Sequence, residues 1–200
     1  MTAPPYPPPR RPATLAGAAP ANSALVQATI NLIRTFTEFS DHTSPRIKDL
    51  TASIEGLEES GLDIGEAGID VKNMLSDMGR LDQASQALKN ALPILVGDQA
   101  EKPQLAAKLA KNICRELVPT CLVGERAVSD LARAYERLAQ HMNTLFKAGN
   151  LTNTQNRAAH NFTTHTQTNL DSILDQNFPA KVRTCLEALV TALGSVEKFI

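Results

Sequence analysis

Between Ala107 and Leu145 the chain alternates steps of three and four residues between small or apolar side chains. The series is Ala107, Ala110, Cys114, Leu117, Cys121, Gly124, Val128, Leu131, Tyr135, Leu138, Met142 and Leu145. Only an α-helix keeps such a series on one face. The rhythm passes through Pro119 without a slip. A turn there would reset the phase, whereas a bent helix keeps it and loses one hydrogen bond to the Arg115 carbonyl, at about 3 kcal/mol. The spacing therefore predicts a single helical arm over residues 103–147, kinked at Pro119.

A second series runs through Ile47, Leu50, Ile54, Leu57, Gly61, Ile64, Gly68, Val71, Leu75 and Met78, and continues through Leu81, Leu88 and Leu92. It predicts an arm over residues 45–92, with Ser44 as N-cap and Pro45 in the first turn, where its missing N–H does no harm. Gly61, Gly65 and Gly68 together cost about 3 kcal/mol of helix propensity. Asp63 and Glu66 have the spacing of a capping box. The arm is therefore expected to be kinked or broken near residues 60–65.

A third arm, residues 152–199, follows from Phe162, Leu170, Ile173 and Leu174, then Val182, Leu186, Leu189, Leu193, Val196 and Ile200, with a break near Pro179. Ahead of the arms, Leu25, Thr29, Leu32, Phe36 and Phe39 mark a shorter helix over residues 23–40. Seven prolines in the first twenty residues make residues 1–21 a disordered, proline-rich tail. The expected fold is all-α. An elongated up-down bundle of three long kinked antiparallel arms and a shorter N-terminal helix forms one domain over residues 22–200.

Composition agrees with packed helices. Aromatic residues are 4% of the chain and tryptophan is absent, so Leu, Ala, Val and Ile must fill the core. Residues 41–101 carry twelve acids and five bases, and residues 102–157 nine bases and four acids. Neighbouring antiparallel arms of opposite sign are mildly favourable. The net charge of −1 supplies no basic field for nucleic acid. No run approaches 18 apolar residues, and the start of the chain lacks the order of a secretory signal. The expected location is cytoplasmic; the alternative is delivery into a host cell by a system outside the general secretory route.

No phosphate-binding loop, nucleophile motif or metal-ligand spacing is present, so no catalytic, cofactor or metal residue is expected. Cys114 and Cys121, seven apart on one helix, stand about 10 Å from each other, too far for a disulfide. Three features point to partners. Pro5, Pro8 and Arg10 match the PxxPxR spacing of ligands for SH3-like domains. Glu55, Glu59, Asp63, Glu66 and Asp70 form an acidic stripe if the arm is continuous, either a solvated face or a docking surface for a basic partner. Ile94 and Leu95, in an expected loop over residues 93–96, either cap the bundle end or form an apolar binding knob.

The reading that results is a non-enzymatic protein–protein interaction module, an adaptor or complex subunit, with self-association left open. The alternative is a secreted or membrane-acting effector whose unfolded N-terminus serves export and whose apolar hairpin tip meets lipid.

Overall fold

A computed structural model describes residues 18–193, with side chains over 22–98 and 101–193. The described residues are all-α, with no strand: α1 (Ala18–Glu59), α2 (Gly65–Glu101), α3 (Pro103–Ala148), α4 (Asn153–Leu174) and α5 (Phe178–Leu193). Expectations for residues 1–17 and for Val196 and Ile200 lie outside them.

Cross-helix contacts fix the directions. Lys72 reaches Glu58 at 2.8 Å and Lys89 reaches Asp41 at 2.6 Å, so α2 runs antiparallel to α1. Arg137 pairs with Asp70 at 2.8 Å, and a Cβ placed on Gly124 would meet Leu81, so α3 runs antiparallel to α2. His42 meets Ser172 and Thr35 meets Cys185, which sets α4 and α5 end to end and antiparallel to α1. The bundle is up-down-up-down, with its fourth arm in two pieces.

This topology corrects the expected arms. Residues 45–92 are not one arm: the chain reverses at residues 60–64. Gly61 takes φ 78° and Gly65 φ 58°. Gly61 N–H donates to the Glu58 carbonyl at 2.8 Å and Leu62 N–H to the Leu57 carbonyl at 3.2 Å. These two bonds are the Schellman closure of a helix end, with Leu62 and Leu57 both buried beside it. Asp63 Oδ1 accepts from Gly65 N–H at 2.9 Å, and the α2 N-cap position, Ile64, makes no side-chain cap bond.

The short helix over 23–40 is likewise the first half of a 42-residue helix that continues through Pro45. Pro45 removes the amide hydrogen that would bond the Asp41 carbonyl, yet the buried series Leu32, Phe36, Phe39, Thr43, Ile47, Leu50, Ile54 and Leu57 keeps its phase across it. Thr43 completes the series because its hydroxyl donates to the Phe39 carbonyl at 2.8 Å, which lets a polar residue occupy a core position. α1 also begins at Ala18, inside the segment expected to be tail, with Pro20 in its first turn, where an N–H has no helical partner in any case.

α2 runs past Pro93 to Glu101, so residues 93–96 are helix rather than loop. Lys102 alone connects α2 to α3, and Pro103 opens α3. Pro119 lies inside α3. Gly149, at φ 71°, closes α3, and Thr152 and Gln155 open α4 with a reciprocal capping box. Residues 175–177 separate α4 from α5, with Asn177 at φ 50° and Pro179 in the first turn of α5.

The core follows from α1, which touches all four other helices. Phe36, Phe162 and Phe178 are its largest fully buried side chains. Phe178 stacks on Phe39 with ring centroids 4.0 Å apart and lies against Gly124, where a Cβ would meet its ring at 3.2 Å. Gly124 therefore supplies the space that brings α5 against α3.

Candidate functional site

Along the α1–α4 seam the buried series faces inward and leaves an open groove on the outside. Its α1 side is made of small residues four apart, Ala52, Gly56 and Ser60, with Ser53 beside them. Its α4 wall carries Thr154, Arg157, Ala158, Asn161 and His165. This lobe encloses about 550 Å³, and a second of about 510 Å³ shares Ala52, Ser53 and His165 and extends to Asp49, Thr164, Thr168 and Asn169. Small side chains keep α1 low there: a Cβ on Gly56 would meet nothing within 4 Å. The Ser53 hydroxyl donates to the Asp49 carbonyl at 2.8 Å and is thereby satisfied.

The electrostatics of the groove differ from those of the comparable α2–α3 groove. In the latter each carboxylate already has an arginine: Asp70 with Arg137 at 2.8 Å, Asp77 with Arg80 at 3.2 Å and Asp130 with Arg133 at 3.8 Å. On the α1–α4 groove, Asp49 and Glu59 line the α1 side and Glu55 stands one turn before Glu59, all exposed, while the α4 wall carries an exposed cation, Arg157. None of the three makes an ion pair among the described residues.

The sequence-derived candidates separate in the structure. Glu55 and Glu59 stay together at the end of α1, whereas Glu66 stands beyond the chain reversal in the first turn of α2, Asp63 lies in the connection and accepts from Gly65 N–H, and Asp70 is taken by Arg137. The continuous acidic stripe does not form. Leu95 is fully buried while its neighbour Ile94 is 54% exposed, so they do not act as a pair. Pro5, Pro8 and Arg10 lie outside the described residues. Sequence reasoning missed the small-residue side of the groove, although Ala52, Gly56 and Ser60 at four-residue spacing, off the apolar seam, were there to be read.

The buried reactive groups are tied into the packing. Burial pushes the Cys114 thiol up; burial and then the nearness of Cys185 and Cys114 push the Cys121 thiol up. Burial also raises Tyr135. Thr166 commits its hydroxyl hydrogen to the Phe162 carbonyl, so Tyr135 donates to Thr166 Oγ1, 2.6 Å away. His141 Nε2–H donates to the Asp63 carbonyl at 2.8 Å and anchors the α1–α2 connection. Among the described residues no three His, Cys, Asp or Glu side chains are placed to hold a metal, and no helix is long and apolar enough to cross a membrane. Comparison with protein-family models, curated proteins and solved structures finds no match to the chain.

Proposed function

We propose that the chain is a non-enzymatic protein–protein interaction module, an adaptor or complex subunit of the cytoplasm, whose α1–α4 groove takes a partner segment bearing basic side chains. The observation that supports this reading is the row Asp49, Glu55 and Glu59, without an ion pair among the described residues, along a groove whose α1 side is built of small residues. Small side chains let a partner's backbone approach closely, the hydroxyl and amide groups of α4 supply hydrogen bonds, and the carboxylates select lysine or arginine.

Gly56→Leu tests the proposal, because the new side chain enters open groove and removes a helix-weakening glycine. The variant keeps or raises the melting temperature and loses the partner in a native pull-down, and cross-links from the wild-type chain map to residues 49–60 and 154–169. Partner capture unchanged in both Gly56→Leu and Glu59→Lys overturns the groove assignment.

The proline-rich segment ahead of α1 acts in this reading as a separate element, with Pro5, Pro8 and Arg10 engaging an SH3-like domain. Arg10→Ala then weakens one partner without changing stability. A second reading, a membrane-acting effector, draws on exposed Ile94, Val96 and Leu105 near the α2–α3 connection, where Lys102 and Lys108 also lie. Flotation with anionic liposomes that is lost in Ile94→Ser and Leu105→Ser would favour it.

A further inference from the structure

Two helices, α3 and α5, bring sulfur to one level of the core, and α1 fixes the register of both. α1 and α3 run parallel in a register set by Thr29 Oγ1 and Cys114 Sγ, 3.2 Å apart, so Cys121, seven residues further on, stands at the height of Phe36. α5 reaches that height where Thr35 Oγ1 meets Cys185 Sγ at 3.5 Å. The α3–α5 contact gives the same answer independently. Gly124 faces Phe178, and Glu125 pairs with Arg183 at 2.6 Å. Stepping back along α3 to Cys121 moves the antiparallel partner forward to residues 181–187, which bracket Cys185.

We infer that Cys121 and Cys185 are a disulfide-forming pair, reduced in this structure, which a thiol oxidant of the disulfide class closes into a staple between α3 and α5. Cys114 is excluded as partner to either. It lies about 10 Å along α3 from Cys121, and by the same register it stands about two turns from the level of Cys185. Cys185 is half-buried and Cys121 fully buried, so the oxidant meets Cys185 first.

With oxidised glutathione, the Cys185 thiolate attacks one glutathione sulfur, forms a mixed disulfide and releases one glutathione thiolate. The Cys121 thiolate then attacks Cys185 Sγ and expels the second. Two electrons pass from the protein thiols to oxidised glutathione, and the two thiol protons end on the released glutathione or in solvent. The scarcity of Cys121 thiolate in its buried site makes the second step the slow one, faster as pH rises. The staple would tie α5, which follows the break at residues 175–177, to the long α3.

The test uses the full chain incubated with oxidised glutathione at pH 7.5 and 8.5, alkylated after unfolding, digested without reduction and mapped by mass spectrometry. The expected product is a monomer lacking two hydrogens, with one peptide pair joining Cys121 to Cys185, Cys114 alkylated, faster closure at pH 8.5 and a higher melting temperature than the reduced chain. Cys114→Ser still closes; Cys121→Ser stops at the mixed disulfide on Cys185. A persistent mixed disulfide with Cys121 still alkylatable at both pH values, a link through Cys114, or a dimer joined at Cys185 overturns the inference.

Discussion

Ile94 and Leu95 are adjacent in sequence and opposite in environment, which makes them a sensitive test of whether α2 continues through Pro93. A helix rotates successive side chains by about 100°, so one of two neighbours can face the core while the other faces water. Leu95 is 0% exposed and Ile94 54%. Leu95→Ala removes buried methyl groups and leaves a cavity, at about 3 kcal/mol. Ile94→Ala gives up part of a burial worth about 1.5–3 kcal/mol when complete, partly offset by alanine's better helix propensity, so its cost is below about 1 kcal/mol. With a urea slope of about 2 kcal/mol/M, the Leu95 variant should unfold about 1.5 M earlier and the Ile94 variant less than about 0.5 M earlier. Urea titrations followed by helical circular dichroism measure both. Comparable losses for the two variants would refute the reasoning, because an irregular tip packed as a unit carries no such alternation.

Pro45→Ala should restore a donor to the Asp41 carbonyl and raise the urea midpoint and the helical signal; a lower midpoint would put Pro45 back in a turn. Gly68→Ala should destabilise despite a propensity gain of about 1 kcal/mol, because its Cβ would lie 2.5 Å from the Ile64 Cβ, which no rotamer change can move; a raised melting temperature would contradict the packing at the start of α2. Phe178→Ala should cost about 3–5 kcal/mol by emptying the site stacked on Phe39, and a loss under about 1 kcal/mol in the same urea titration would show that α5 is not seated there.

Apolar phase, the signal from which the arms are read, gives different returns at different places. Across Pro119 it is kept and the helix continues. Across Pro45 it is kept as well, but only when Thr43 is admitted to the series, and a threonine counts as apolar only once its hydroxyl is known to bond the Phe39 carbonyl. Ser44 next to Pro45 has the look of a helix start, and that local signal competes with the longer one. Across residues 60–64 the phase is also kept, yet the chain reverses. Leu62 and Ile64 are buried in the connection itself, so apolar residues recur there for a reason unrelated to helical rotation.

Backbone hydrogen bonding separates these cases better than phase does. Proline keeps φ near the helical value and deletes one donor, a local loss that a well-packed helix absorbs. Gly61 and Gly65 adopt positive φ, where other residues are strained, and the Schellman bonds from Gly61 and Leu62 satisfy the carbonyls of a helix that has ended. Glycines in the connection were therefore a stronger stop signal than proline, and their position decides the site. Had residues 45–92 formed one arm, Glu55, Glu59 and Glu66 would share a line along it. Because the chain turns back after Glu59, Glu66 is carried away on α2. Ala52, Gly56 and Ser60 are left facing outward beside α4, and the polar run of residues 150–169, unpromising as helix by propensity, becomes the hydrogen-bonding wall of the groove.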